Sequence, residues 1–214
     1  MPVITRIIEQ KRRPNRRNVH FDGRFAFGCN LNVIARFRLR EGMSLSNEQI
    51  EAIKQGEVRQ ECFDAAMMFL QRRLHSRAEL KTKLARKEYL PDMIDDVLNQ
   101  LTELGYVDDA RFAKTKALSA AQHKHHGKRR AQIELMKAGV DRSTADRALE
   151  DVYEATDSLA LARDLAQKRA PSLKRFDLVV AKRRLVGMLL RRGFEYDTIK
   201  PVVDEVLGHS QDEE

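Results

Sequence analysis

The sequence predicts a mainly α fold: an elongated array of three tandem three-helix repeats, preceded by a small N-terminal β-hairpin and short-helix extension. Three observations predict it. Segments beginning at Arg77, Lys128 and Lys182 align without a gap at offsets of 51 and 54 residues, and the coincident positions are apolar. They are Leu84, Leu135 and Leu189; Tyr89, Val140 and Phe194; Leu98, Leu149 and Val203; Leu101, Val152 and Val206. From residue 57 onward apolar residues recur at spacings of three and four, the period of a helix with one buried face. Before residue 28 the pattern is instead β-branched and aromatic. One helical unit copied and stacked favours a binding array over a cleft-bearing enzyme.

Taken in order, residues 3–11 form a β-branched run, and 19–21 and 24–27 flank Asp22-Gly23, a type I′ hairpin signal because both turn positions need φ > 0. Residues 11–17 read as a charged loop whose Pro14 forbids continuous pairing. So small a sheet is unstable alone. Short helices at 31–38 and 47–55 are expected to cover it, the second opened by Ser46 and Gln49 at capping-box spacing. The first repeat is expected as helices 57–74, 77–87 and 91–104, the second as 109–122, 128–138 and 142–154, and the third as 158–169, 178–192 and 196–207. Gly139 and Gly193 fall where the middle helices must end in a left-handed residue. Glu88 occupies that place in the first repeat, at a cost of about 1 kcal/mol unless the turn differs. The domains are therefore expected at 1–56, 57–106, 107–155 and 156–209, with a disordered acidic tail at 210–214.

The 214 residues are 42% hydrophobic and 34% charged, enough to bury a core. No run approaches the ~20 apolar residues of a membrane span, and no secretion-type apolar segment opens the chain, so a cytoplasmic protein is expected. A monomer is expected as well. Cys29 and Cys62 are far apart and read as reduced, buried thiols. Net charge is +8, and the residues up to Arg40 carry ten basic against two acidic side chains, which equals the whole excess. A second basic concentration lies between Lys168 and Arg192. Basic segments on a balanced scaffold suggest a polyanionic partner, such as nucleic acid or a nucleoprotein, against the plainer reading of a solvated surface.

Catalytic patterns are missing: no Gly-rich phosphate loop, GxSxG or HExxH occurs. Asp108 sits where an N-cap is wanted, with Asp109 in the first turn favourably placed against the dipole, so capping outweighs an acid/base pair. His123-Lys124-His125-His126 is crowded by Lys128, Arg129 and Arg130, which would repel a cation, so it reads as a basic linker rather than a metal site. No cofactor is expected. Lys128-Arg129-Arg130 and Lys182-Arg183-Arg184 hold equivalent positions at the start of middle helices, where the dipole opposes them, which tilts them towards partner binding. Arg191-Arg192 at a helix end has a structural reason. With Arg12, Arg13, Arg16 and Arg17 of the N-terminal loop, these groups form the candidate binding set.

Residues 104–113, Leu-Gly-Tyr-Val-Asp-Asp-Ala-Arg-Phe-Ala, resemble the gYlDDxRFA signature of the RecX family, bacterial regulators of the RecA recombinase. The run from Arg73 through Ser76, Glu79 and Leu80 to Lys83-Leu84 is similar to the family's R-x-x-S-x-x-E-L-x-x-K-L pattern, and residues 127–139 and 191–194 match later landmarks. The resemblance covers about 65–207. It implies a non-enzymatic modulator that binds the RecA–DNA filament across neighbouring protomers and suppresses strand exchange and ATP hydrolysis. It brings no catalytic residues and no short set of contact residues. The alternative is a free-standing DNA-binding helical-repeat protein that grips single or double strands without RecA.

Overall fold

Asp22 and Gly23 both have positive φ, 48° and 81°, and close the expected hairpin. The structure, a computed structural model, describes residues 1–208; the tail expected at 210–214 lies outside them. Three antiparallel strands, β1 (Ile4–Gln10), β2 (Arg13–Phe21) and β3 (Arg24–Asn30), form a sheet in the order β1-β2-β3. One face is apolar. Ile4, Val19 and Cys29 are fully buried there with Val33, Leu45 and Ile53, and the Phe21 and Phe27 rings meet edge to face at 5.7 Å.

The loop expected at 11–17 is mostly strand. Only Lys11 and Arg12 turn, and Pro14 is accommodated because the β1–β2 register jumps from Glu9↔Arg17 to Gln10↔Arg13, while β3 pairs no further than Arg16↔Asn30. Pro14 thus has no ladder bond to forfeit.

α1 (Leu31–Phe37) is opened by Asn30, whose side chain accepts from the Asn32 N–H, and ends at Arg38 with φ 51°. α2 (Asn47–Leu70) starts with the expected capping box, Ser46 and Gln49 bonding reciprocally. Its length corrects the expectation. The helices predicted at 47–55 and 57–74 are one helix of 24 residues, and the domain boundary expected after residue 56 falls inside it. α2 runs on through Gly56, where a Cβ would lie 2.7 Å from the Phe37 ring. The small size of this glycine serves packing rather than a stop.

The chain falls into two units: Met1–Arg73 with Lys81–Glu103, and Leu74–Leu80 with Leu104 onward. In the first, α2 is followed by part of α3 (Arg77–Ala85) and by α4 (Pro91–Glu103). Leu84, Ile94, Val97, Leu98 and Leu101 are buried, and Lys81 pairs with Asp95 at 2.7 Å.

The second unit holds two complete three-helix repeats. α5 (Asp109–Gln122), α6 (Lys128–Lys137) and α7 (Arg142–Glu154) enclose an alanine-rich core of Ala113, Ala117, Ala120, Ala145 and Ala148 around Leu135 and Leu149. α8 (Ser158–Arg169), a 3-10 turn (Ala170–Leu173), α9 (Leu178–Arg192) and α10 (Tyr196–Leu207) enclose Leu185, Leu189, Phe194, Ile199, Val202 and Val203. Four aspartates start these helices by the same device. Asp108, Asp141, Asp157 and Asp177 accept from the N–H three residues on, at 2.9 to 3.0 Å.

The internal repeat extends to backbone detail. Glu88, Gly139 and Gly193 have φ of 65°, 74° and 87°, and their N–H groups each reach the carbonyl three residues back at 2.9 Å. Glycine is needed on a second count at two of these. A Cβ at Gly139 would lie 2.3 Å from that of Ala78, and one at Gly193 would lie 2.3 Å from the Arg130 nitrogen. Glu88 keeps the left-handed geometry at a cost of about 1 kcal/mol. Even a polar contact recurs: Gln132 donates to Asp146 at 2.7 Å, at the positions that Lys81 and Asp95 hold one repeat earlier.

Candidate partner-binding surfaces

The residues from Gly105 to Ala113 build a joint. Gly105 turns the chain at φ 73°, Val107, Phe112 and Ala113 are buried, and Asp108 caps α5. Asp109 does more than the dipole reading allowed, because its Oδ1 accepts the Arg77 N–H at 2.8 Å and so caps α3. Both carboxylates thus place an oxygen on a backbone N–H at a helix start, the capping role expected of this pair.

The basic residues divide by their partners. Arg12 and Arg13 are exposed at the β1–β2 turn. Arg16 is not available: its guanidinium lies 2.8 Å from Glu57 and 3.2 Å from Glu61, tying β2 to α2, and Glu57 also accepts the Asn30 N–H at 2.7 Å. Arg17 pairs with Glu9 at 3.1 Å and donates to the Pro14 carbonyl. Burial, helped by the charge and hydrogen bond of Glu57, pushes the nearby Cys29 thiol up to about 12.

Lys128 and Arg129 are exposed in the first turn of α6, whose N-cap Gly127 offers no side chain, so the dipole opposes them as expected. Arg130 leans towards Glu134 at 3.6 Å. Glu134 gathers the segment expected as a linker: Lys124 lies 3.1 Å and His126 Nδ1 3.1 Å from its carboxylate, and the Tyr153 hydroxyl donates to the His126 carbonyl at 2.6 Å. Burial raises the Glu134 pKa, but the Lys124 hydrogen bond and the charges of Lys124, His126 and Arg130 outweigh it, and the net shift is downward. His126 is also shifted down, chiefly by burial, with Arg192, Lys124 and Arg130 adding to it against Glu134. Arg192 donates to the Lys124 carbonyl at 3.0 Å, so it has a structural partner, while Arg191 stays exposed.

Lys182-Arg183-Arg184 do not open a helix. α9 begins at Leu178 with its own cap, Asp177, and the three cations sit a turn further in, where the dipole has faded. Lys182 pairs with Asp204 at 2.9 Å and Arg183 is exposed. The Arg184 guanidinium lies 3.9 Å from the centroid of the half-buried Phe176 ring, and Arg175 lies 4.9 Å from the same centroid. Two like charges held on one aromatic ring form a cationic, partly apolar surface able to meet an anion.

Four family models match the chain in series: the regulatory protein RecX N-terminal domain at residues 2–46, and the first, second and third RecX three-helix domains at 62–101, 108–149 and 155–203. Regulatory protein RecX of Leuconostoc mesenteroides subsp. mesenteroides is 32% identical over 213 residues, covering 100% of this chain and 79% of the relative. The chain belongs to the RecX family. Regulatory protein RecX of Bacillus subtilis is 30% identical over 208 residues, covering 96% of this chain and 78% of that one. A crystal structure of regulatory protein RecX shares the fold with a TM-score of 0.80 at 22% identity, over 95% of this chain and 100% of that chain. That of RecX from Lactobacillus salivarius gives a TM-score of 0.61 at 25% identity, over 69% and 96%.

Within this RecX chain the expected set is thus sorted. Arg12, Arg13, Lys128, Arg129, Arg183 and Arg191 are exposed, Arg184 is stacked, and Arg16, Arg17, Arg130, Lys182 and Arg192 lie against carboxylates or carbonyls. Arg175 and Phe176 were missed by sequence reasoning. The available signal was an Arg-Phe pair just ahead of the α9 cap, with Arg184 two turns beyond that cap. Among the described residues no helix is long and apolar enough to cross a membrane, and no cluster of His, Cys, Asp and Glu could hold a metal ion.

Proposed function

We propose that this RecX-family protein binds the RecA–DNA filament across neighbouring protomers, lowers recombinase and ATPase activity, and so modulates DNA repair. The observation that carries the proposal is the match to regulatory RecX proteins along this sequence, with the N-terminal domain and all three helical domains matched in order. Repeated units suit a filament because each weak contact raises the effective concentration for the next. The exposed cations of α6 and α9 supply charge for an acidic protein face or for the DNA within. The protein acts by binding and not by turnover, in the cytoplasm and as a monomer. RecA's DNA-dependent ATPase, measured with and without the protein, tests this: inhibition supports the proposal and an unchanged rate rejects it. Binding should weaken steeply as salt rises from about 50 to 300 mM.

A second reading is favoured by the two guanidiniums on Phe176: direct DNA binding without RecA. Titration of naked and RecA-coated DNA at one salt concentration separates the two. Preference for naked DNA would favour the second.

A further inference from the structure

Arg111 is the one charged residue of the Gly105–Ala113 segment without a structural task. Asp108 and Asp109 cap helices, whereas the Arg111 side chain is exposed and has no carboxylate or carbonyl partner among the described residues. It lines a groove of about 320 Å³ between α5 and α7. Lys114, one turn on along α5, and Arg147 of α7 line the same groove, and both are exposed and likewise without an ion-pair partner. Residues three apart on a helix face one another at about 5–6 Å, so Arg111 and Lys114 act on one ligand.

The floor indicates what that ligand is. α5 and α7 pack through Ala113, Ala117, Ala145 and Ala148, which brings their backbones close, and Ala110 and Ala148 line the groove itself. No large apolar side chain lines it. A peptide would find nowhere to bury the aromatic or aliphatic anchors on which protein contacts depend. A nucleic-acid backbone needs only a strip of cations, because affinity comes from releasing its counterions. Asp151 lines the groove too and opposes an anion at its own end.

We propose that the α5–α7 groove is a phosphodiester-binding site in which Arg111, Lys114 and Arg147 hold phosphates of a nucleic-acid strand. None of the three belongs to the basic clusters that stand out in the sequence. The site needs no RecA, so it stands apart from the filament reading.

The test is binding of the full chain to a labelled oligonucleotide, followed by fluorescence anisotropy across a salt titration with no RecA present. Arg111→Gln, Lys114→Gln and Arg147→Gln are compared singly and together, beside a triple of equal charge change outside the groove, Arg86→Gln, Lys87→Gln and Lys200→Gln. Each groove substitution should lower affinity several-fold and reduce the salt slope by about 1. Asp151→Asn should raise affinity several-fold, a gain that misfolding cannot produce. Equal losses from the two triples, or an unchanged affinity in Asp151→Asn, would overturn the proposal. Either failure leaves RecA inhibition standing, and a failure of RecA inhibition leaves this site standing.

Discussion

The Ser76 hydroxyl donates to the Ala138 carbonyl at 2.5 Å, and at the equivalent places one repeat on the Gly127 N–H reaches the Arg192 carbonyl at 2.9 Å. In each case the residue ahead of one middle helix is tied to the end of the next middle helix. The second joint uses backbone because a Cβ on Gly127 would lie 2.2 Å from the Gly193 oxygen. Ser76 also accepts the Glu79 N–H at 3.0 Å, capping α3. Ser76→Ala should therefore cost about 1–2 kcal/mol, read as a lower urea midpoint at unchanged slope. An unmoved midpoint would mean that the joint contributes nothing.

Glu88 and Gly193 should respond oppositely to exchange. Glu88→Gly relieves the left-handed strain and is expected to raise stability by up to about 1 kcal/mol. Gly193→Ala meets both φ 87° and the Arg130 backbone, and should destabilise by more than about 1 kcal/mol. Thermal melts of the two variants check the contrast.

Acid should loosen the second repeat. Because burial holds the His126 pKa below its ordinary 6.5, the unfolded chain binds a proton that the folded chain refuses. The stability contributed by neutral His126 is complete above about 6.5 and is lost progressively as pH falls below it. Glu134, also lowered, acts in the same direction below its ordinary 4.5. The urea midpoint of the wild type should drop between about pH 7 and 5 more than that of His126→Gln. Parallel curves would remove His126 as the cause.

Arg16 is a structural cation. Glu57 is 9% exposed, and Arg16→Met strands its carboxylate, at an expected cost of about 3 kcal/mol. The thiols report on the same region. With Cys29 pushed to about 12 and Cys62 to about 11, both chiefly by burial, neither holds appreciable thiolate at neutral pH. A thiol reagent should label neither in the folded protein and both after denaturation, and should label Arg16→Met faster than wild type.

Arg183 and Lys182 are neighbours with different expected effects. Arg183→Glu should weaken RecA ATPase inhibition without moving the melting temperature, while Lys182→Gln should lower the melting temperature because Asp204 loses that partner. The reverse pattern would refute the sorting of the third-repeat cations.

What the sequence revealed follows the range of the forces involved. Asp22-Gly23, the Ser46–Gln49 capping box, the Asp108 cap and the bounds of α5, α7, α8, α9 and α10 were legible because turns and caps are decided within three or four residues. The break expected between 55 and 57 is absent, and the Phe37 ring against Gly56, which favours a glycine there, lies 19 positions away and leaves no local mark. The fate of Arg16 was hidden for the same reason, since Glu57 meets it only across the sheet. At Lys182 the repeat frame misled about the cations and not about the span: it equates Lys182-Arg183-Arg184 with the opening residues of α6, whereas α9 begins one turn earlier, at its Asp177 cap. The α5–α7 groove left no trace in the basic runs, since its cations come singly from two helices.

The unbroken course of α2 carries a mechanical corollary. A helix of 24 residues is a strut about 36 Å long, clamped at one end beneath the hairpin and at the other in the first three-helix unit. A pull on the strands is delivered to that unit without slack. A fragment cut to begin at residue 57 would start halfway along the strut with a ragged, uncapped turn, so these two parts should be lost or kept together.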